Sequence, residues 1–360
     1  MNDIELVTSP DDPALDRLCD RLAQLAREMD RTESWPAEQL RLCNRAGVCQ
    51  WFAERRWGGQ QWTNLDITRG YLRLSAACLT TTFITTQRIG AYQRIAAGSN
   101  QAAKERLLPG LVSGHSFATI GISHLTTSRR HLAKPVLEAR ETADGFVLNG
   151  FSPWVTGGPH ADTIVVGAVL DSGAQILVAL PTSLSGVTID EPARLVGLAA
   201  SHTGQVRVDN VRVGREWLLA GPVESVTKIG SSAGTGGLQT STLAIGLASA
   251  ALDFLEDEAQ RRGDLVEAAR EMRREHSELE ASLLAIASGQ AVCSDDQLRA
   301  AANSIALRTS QAALAAAKGT GYMVGHPAGR WCREALFFLV WSCPQGVMNA
   351  NLCELAGLEI

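Results

Sequence analysis

The spacing of apolar residues changes twice along this chain, and this double change constrains the fold more than any other feature. In the first third, apolar residues recur at spacings of three and four, as at Leu15, Leu18 and Leu22, which predicts amphipathic helices. From about Ser116 the apolar runs are short and β-rich, as in a small barrel or sandwich. Beyond the small-residue stretch Gly230–Gly237 the helical spacing returns, so a second set of helices is expected after the strands.

This order predicts an α+β multidomain fold with three parts. They are an N-terminal helical domain over residues 1–115, a middle β-barrel or sandwich domain over 116–225, and a C-terminal four-helix bundle over 226–360. The bundle is expected because four or five helical segments follow one another with short connections. The segment Cys78–Thr86 leaves helix and strand both open, since β-branched threonines lower helix propensity without forbidding a helix.

The stretch Ala143–Gly158, which reads ADGFVLNGFSPWVTGG, is the most informative part of the middle domain. Asp144-Gly145 and Asn149-Gly150 are turn dipeptides with an apolar run between them, so two strands joined by a tight turn are expected. After the second turn, Trp154 and Thr156 could face a planar ligand. The alternative is a surface hairpin whose tryptophan covers a core.

Composition and charge narrow the function and the compartment. A chain of 360 residues, 45% hydrophobic and 20% charged, can bury a large core in two or three domains. The formal charge of -5 provides no basic surface for nucleic acid. The acidic start has no apolar signal segment, and no run approaches the roughly 18 apolar residues of a membrane span. The 8 cysteines form no CxxC pair, which predicts reduced thiols in a cytoplasmic protein and no metal site.

Several motifs resemble the acyl-CoA dehydrogenase family. Asp144–Gly150, followed by Trp154-Val155-Thr156, is similar to the hairpin of that family's middle domain. Trp57-Gly58-Gly59 resembles a motif after the family's early helices, and Val206–Val213 resembles the strand before its bundle. The family has the same order of helices, β domain and bundle, so the resemblance covers nearly the whole chain. It implies an FAD cofactor and an oxidoreductase activity.

The resemblance implies cofactor-binding roles for residues of the middle domain and the bundle. These residues are Ser123, His124, Trp154, Thr156, Arg262 and Gly319. Trp154 would cover the flavin face, and Thr156 would hydrogen-bond the ring edge. Arg262, or Arg261 one residue earlier, would reach the FAD pyrophosphate of a neighbouring subunit. The alternative is that both are solvated arginines near the end of a helix. Gly319 matches part of a glycine turn near the family's FAD. The alternative is an ordinary glycine at the C-terminal end of a helix.

The family's middle-domain signature is only partly kept. Thr-Glu-Pro-x-x-Gly-Ser should fall at Ser123–Arg129, which here reads Ser-His-Leu-Thr-Thr-Ser-Arg. Ser123 keeps the hydroxyl of the first position and could still face the flavin pyrimidine. Arg129 and Arg130 could pair with a phosphate, block the pocket or lie in solvent.

The family's catalytic glutamate has no counterpart in this sequence. Ser342 stands where typical members have the Glu that removes the α-proton of an acyl thioester, and a serine would need a base of its own. Other members carry the Glu near the start of the first bundle helix, where Gln239 is the only polar residue of comparable length. Gly230–Leu252 contains no Asp or Glu. We therefore predict a family member that lacks the catalytic Glu, with its catalytic residue unassigned.

Three functions remain open from the sequence. The first is an FAD-binding oxidoreductase that acts on an acyl thioester or a related small molecule. The second is a flavin-dependent monooxygenase on the same fold, which uses reduced flavin and O₂ and needs no α-proton base; His124, His160 or His202 could then transfer protons, or could be ordinary surface residues. The third is a non-catalytic binding protein derived from the family. A homodimer or homotetramer is expected, because Arg262 in its family role would complete the site of a second subunit.

Overall fold

The computed structural model describes residues 5–126, 135–228 and 238–358. The small-residue stretch Gly230–Gly237 and the candidate phosphate ligands Arg129 and Arg130 lie outside these residues. Within them, helices precede and follow a region of strands. The predicted order of N-terminal helical domain, middle β domain and C-terminal helical bundle is therefore confirmed.

The N-terminal region is helical throughout most of its length. Its helices are α1 (Pro13–Thr32), α2 (Ala37–Arg45), α3 (Val48–Trp51), α4 (Asn64–Ala77), α5 (Leu79–Ala97) and α6 (Gln101–Ser113). At the start of α1, the side chain of Asp12 accepts a hydrogen bond from the amide of Ala14 at 2.9 Å. Pro13 follows Asp12 at the first helical position, where no amide donor is required.

The ambiguous segment Cys78–Thr86 is helical from Leu79 onward, as the first part of α5. The hydroxyls of Thr82, Thr85 and Thr86 donate to the carbonyl oxygens four residues earlier at 2.8–2.9 Å. These bonds satisfy polar groups that would otherwise be buried without partners. Burial of the helix between its neighbours therefore outweighs the low helix propensity of threonine.

The middle region forms one sheet in the described part of the chain. Its strands are β1 (Ala118–Gly121), β2 (Leu137–Thr142), β3 (Gly145–Val155), β4 (Thr163–Leu170), β5 (Gln175–Pro181), β6 (Val187–Ile189), β7 (Gly204–Gly214) and β8 (Leu218–Val223), and the short helix α7 (Ser123–Thr126) follows β1. The strand order is β6-β7-β3-β2-β4-β5-β8, and β1 runs parallel to β4. The apolar side chains of these strands form a core of their own. The sequence did not predict β8.

Strand β3 corrects the predicted hairpin. The second turn predicted at Asn149-Gly150 is wrong, because β3 continues through it and only its register with β7 shifts between Leu148 and Gly150. Gly150 has φ +116°, and a Cβ there would lie 2.1 Å from the carbonyl oxygen of Val136. Glycine is therefore required by a bulge and a close backbone approach. The hairpin turn lies earlier, at Ala143-Asp144, where β2 returns into β3.

The C-terminal region forms the bundle. Its helices are α8 (Leu238–Ala259), α9 (Val266–Ala287), α10 (Asp295–Gly321), α11 (Pro327–Ala335) and α12 (Gln345–Leu355). Helix α8 packs against α9, α10 and also α4, so the N-terminal and C-terminal helices share one apolar core. By length and composition α8 could cross a membrane, but 67% of the apolar window is buried in the protein.

Candidate functional site

A large cavity lies where the N-terminal helices, the sheet and the bundle meet. Its volume is about 1090 Å³. Pockets for drug-sized ligands measure about 300–1,000 Å³, so this cavity is large enough for an extended cofactor or a cofactor with a substrate. Its walls come from β3, the loop before β7, α5, the start of α8 and the segment between α11 and α12.

The wall contributed by the sheet carries Trp154 and Thr156. Because side chains alternate along a strand, the buried Val155 points into the core of the sheet while Trp154 points into the cavity and is 48% exposed. Thr156 is buried, and its hydroxyl lies 2.9 Å from the hydroxyl of Thr203. Thr203 in turn lies 2.8 Å from the hydroxyl of Ser201. This wall therefore presents an indole face beside an ordered chain of hydroxyls.

Another wall is formed by the segment that follows α11. Phe337 and Trp341 stack with ring centroids 5.0 Å apart, and Phe83 of α5 meets both rings edge-on. Ser342 comes next, has φ +47° and also lines the cavity. The structure thus brings Ser342 into the same cavity as Trp154, as expected if the two flank one ligand site.

Buried polar groups of α10 hold this segment from behind. Arg299 is fully buried and donates to the carbonyl oxygen of Trp341 at 3.0 Å, while Asn303 donates to that of Phe338 at 3.1 Å. Burial lowers the pKa of Arg299 to about 10. The sequence did not identify these residues, because an arginine and an asparagine in an Ala-rich helix are typical of a solvated face.

The two residues that the resemblance aligns with the family's catalytic carboxylate both line the cavity, and neither is a carboxylate. Gln239, in the first turn of α8, and Ser342 are lining residues. Among the described residues, Asp295 is the only carboxylate that lines the cavity, and it is exposed at the start of α10. Of the two lining arginines, Arg333 is held by Asp30 at 2.6 Å, and Arg94 of α5 has no such partner among the described residues.

The other predicted flavin-side residues divide between the cavity and its surroundings. Ser123 lines the cavity, whereas His124 is buried behind it with Nε2 2.9 Å from the carbonyl oxygen of Gly167. Burial lowers the pKa of His124. His160 and His202 lie 3.0 Å apart beside Trp35 and do not line the cavity, so neither faces a ligand there.

Arg262 and Gly319 lie together elsewhere in the bundle. Arg262 donates to the carbonyl oxygen of Ala316 at 2.8 Å and pairs with Asp264 at 3.2 Å. Gly319 follows Ala316 by three residues, and a Cβ on it would meet no atom within 4 Å. Neither residue lines the cavity of its own chain. Their predicted contact with a flavin on a neighbouring subunit stays a prediction.

Comparison with known proteins gives a consistent result. The model of the family described as "Acyl-CoA dehydrogenase, N-terminal domain" matches residues 13–115. The chain is 25% identical over 239 residues to the probable acyl-CoA dehydrogenase YngJ of Bacillus subtilis, which covers 64% of this chain and 62% of that protein. It is 24% identical over 337 residues to the mitochondrial short-chain specific acyl-CoA dehydrogenase of Mus musculus, covering 87% of this chain and 81% of that one.

A solved structure matches over the full architecture. Butyryl-CoA dehydrogenase from Megasphaera elsdenii superposes with a TM-score of 0.82 at 19% sequence identity, covering 96% of this chain and 97% of that one. The helices, the sheet and the bundle around one cavity therefore have the acyl-CoA dehydrogenase fold. The chain belongs to the acyl-CoA dehydrogenase family.

Membership of this family implies a flavin cofactor, and the cavity residues fit one. Trp154 is an exposed indole on a strand whose other residues are buried or half-buried, and such an indole suits stacking against a planar ring. The hydroxyl chain from Thr156 to Ser201 offers donors and acceptors at the edge of such a ring.

Proposed function

We propose that this protein binds FAD in the cavity and acts as an oxidoreductase on an acyl thioester or a related small molecule. The observation that carries the proposal is that Trp154, Thr156, Trp341 and Ser342 line one and the same cavity. When bound, FAD would supply the redox chemistry by accepting a hydride from the substrate. The names of the bacterial and mouse relatives support an acyl-CoA as the substrate class.

In this proposal the chain's own residues bind and orient the reactants. The Trp154 indole covers one face of the ring, and the Thr156 hydroxyl bonds its edge. Ser201 and Thr203 fix the orientation of that hydroxyl through bonds of 2.8 and 2.9 Å. The substrate occupies the space toward Trp341, whose backbone is held from behind by Arg299.

A flavin-dependent monooxygenase is the second candidate, and the lack of a base favours it. By resemblance, Gln239 and Ser342 align with the two positions of the family's carboxylate, and both line the cavity. An amide or a hydroxyl does not accept an α-proton as a carboxylate does. Oxygen activation by reduced flavin does not require that base. A non-catalytic binding protein is the third candidate.

The visible absorption spectrum of the purified protein tests the proposal directly. A flavin band, or uptake of added FAD, is expected; a protein that takes up neither FAD nor FMN refutes both enzymatic functions. With flavin bound, anaerobic bleaching by acyl-CoAs would identify a dehydrogenase. Oxygen uptake in the presence of substrate and a flavin reductase would identify a monooxygenase.

The variant Ser342→Glu tests whether the cavity lacks only its base. A positioned general base contributes about 10²–10⁴-fold, so the rate of anaerobic flavin reduction by butyryl-CoA should rise by at least about 10²-fold. Ser342→Gln is the matched control, because it adds the same bulk without a carboxylate. Equal rates for the two variants would contradict the idea that the dehydrogenase site is otherwise intact.

We also propose that the protein is a cytoplasmic homodimer or homotetramer. Arg262 would then extend toward the flavin of the neighbouring subunit. Light scattering coupled to size exclusion measures the mass directly, and a monomer at micromolar concentration would contradict this assembly.

A further inference from the structure

Two histidines next to the hydroxyl chain join three segments of the protein. Nε2 of His160 lies 3.0 Å from Nδ1 of His202, and Nε2 of His202 lies 3.2 Å from the carbonyl oxygen of Glu33. His160 ends the short 3₁₀ turn Gly158–His160 that follows β3, and His202 lies in the loop before β7. Glu33 follows α1. The pair therefore ties the end of β3 and the loop before β7 to the N-terminal helices.

Trp35 packs against this pair and against the backbone beside Thr156. Its ring stacks on that of His160, with centroids 4.1 Å apart and an angle of 16° between the planes. A Cβ on Gly157 would lie 2.7 Å from Cη2 of Trp35, so only glycine leaves room for the indole there. Gly157 directly follows Thr156, and its amide donates to the carbonyl oxygen of His202 at 3.2 Å. The tryptophan and the two histidines thus contact the backbone that carries Thr156.

The loop before β7 places His202 between two members of the hydroxyl chain. Ser201 and Thr203 bond each other at 2.8 Å, and Thr203 bonds Thr156 at 2.9 Å. All three hydroxyl residues line the cavity. His202 has φ +46°, a left-handed conformation that a residue other than glycine keeps only where its surroundings hold it. The order of the hydroxyl chain therefore depends on how the side chain of His202 is held.

The histidine pair keeps its hydrogen bond with no added proton or with one, but not with two. A carbonyl oxygen only accepts, so Nε2 of His202 carries a hydrogen toward Glu33. In the neutral pair, Nδ1 of His202 then accepts from Nε2 of His160. With one added proton, His202 donates from Nδ1 and His160 accepts in its other tautomer. A second proton leaves two N–H groups and two positive charges facing each other, so the bond is lost.

The charged groups on the elements packed around the pair are engaged elsewhere or exposed. They are Asp30, Glu33, Arg88, Asp162, Asp190, Glu191 and Arg194. Arg88 and the three aspartates have other partners at 2.6–2.8 Å, and the side chains of the remaining three are exposed. Burial, and then the charge of His202, lower the pKa of His160. The second proton therefore binds only below about pH 6.5, the ordinary pKa of a histidine.

We propose that His160 and His202 are positioning residues for the flavin-binding wall, and that the protein binds FAD more weakly once both are protonated. This rests on the proposed function, in which the Thr156 hydroxyl bonds the edge of the ring. The bond between the histidines fixes the loop that orders this hydroxyl, so its loss lets Thr203 move away from Thr156. One hydrogen bond lost from the bound state corresponds to about a fivefold rise in Kd.

The test measures the Kd for FAD by calorimetric titration of the protein after removal of bound flavin, at about pH 7.5 and about pH 5. Over this interval the Kd of the wild type should rise about fivefold more than that of His160→Gln. Glutamine does not titrate, and its amide can present either nitrogen or oxygen to His202, so it keeps the bond at both pH values. His160→Ala removes the bond, and its Kd should be about fivefold above that of the wild type already at pH 7.5.

A matched control removes an imidazole outside the pair. His115 is exposed and bonds the hydroxyl of Ser113, so His115→Gln should show the pH dependence of the wild type. Equal pH dependence of the wild type and His160→Gln would overturn the inference, while measurable FAD binding would leave the proposed function standing.

A protein that binds no flavin at either pH refutes the proposed function, and hydrogen exchange of the same protein then decides the positioning role. The amide of Gly157 donates to the loop that His202 belongs to, so it reports the release of that loop. At about pH 5, exchange in the peptide that contains Gly157 should be faster in the wild type than in His160→Gln. Equal exchange in the two proteins would overturn the positioning role.

Discussion

Replacing Gly246 with valine should destabilise the protein by separating α8 from α4. A Cβ at Gly246 would lie 2.6 Å from the carbonyl oxygen of Leu72 and 2.7 Å from Cβ of Ser75. Neither atom can rotate away, because one is backbone and the other adjoins it. Overpacking of this kind costs about 1–3 kcal/mol, and valine regains only a few tenths of a kcal/mol of helix propensity over glycine. We expect a net loss of about 2 kcal/mol in the free energy of unfolding.

Thermal denaturation followed by circular dichroism measures this effect. At about 2 °C per kcal/mol for a chain of this size, the Tm of Gly246→Val should fall by about 4 °C. Gly319→Ala is the control, since a Cβ on Gly319 meets no atom within 4 Å, and its Tm should not fall. Because Thr68 of α4 and Thr240 of α8 both line the cavity, Gly246→Val should also weaken flavin binding. A wild-type Tm for Gly246→Val would refute the close contact of the two helices.

Two further predictions concern the hydroxyl chain and the buried histidine of the bundle. Thr156→Val removes one hydrogen bond worth about 1 kcal/mol and should raise the Kd for FAD about fivefold. Thr156→Ser keeps the hydroxyl and should leave the Kd unchanged. Equal Kd values for Thr156→Val and the wild type would exclude a role for this hydroxyl. His276 is buried and donates from Nε2 to the carbonyl oxygen of Ile245 at 3.0 Å, and burial lowers its pKa below the ordinary value of 6.5. As the pH falls, His276 therefore binds a proton in the unfolded chain before it does so in the folded protein. The free energy of unfolding should decrease below about pH 6.5, by up to about 1.4 kcal/mol per pH unit. His276→Gln keeps a hydrogen-bond donor but has no group that titrates in this range. Between pH 7.5 and 5.5, its free energy of unfolding, measured with urea, should therefore depend less steeply on pH than that of the wild type. An equal pH dependence of the two proteins would contradict this role of His276.

The order of secondary structure was predictable because it depends on local periodicity. The apolar spacing of α1 and the change near Ser116 follow directly from side-chain geometry along a helix or a strand. The continuation of β3 through Asn149-Gly150 was not predictable, since that dipeptide favours a tight turn in isolation. The deciding interaction is the close approach of Val136, the residue before β2, which only the assembled sheet provides.

The candidate site was predictable on its sheet side and much less so on its helical side. Trp154 and Thr156 stand in a recognisable motif, and the structure places both in the cavity. Arg299 carries no local signal, because a cation in a helix is usually solvated. Its significance comes from burial by an element distant in sequence, since it donates to a carbonyl oxygen 42 residues later.

The segment that carries Ser342 has its backbone fixed independently of any reacting group. Arg299 donates to the carbonyl oxygen of Trp341, the residue before Ser342, and both Trp341 and Ser342 line the cavity. The resemblance aligns Ser342 with the family's base, so Ser342→Glu would add a carboxylate to a wall that is already in place. A rate gain in that variant but not in Ser342→Gln would therefore separate the loss of the base from the loss of the pocket.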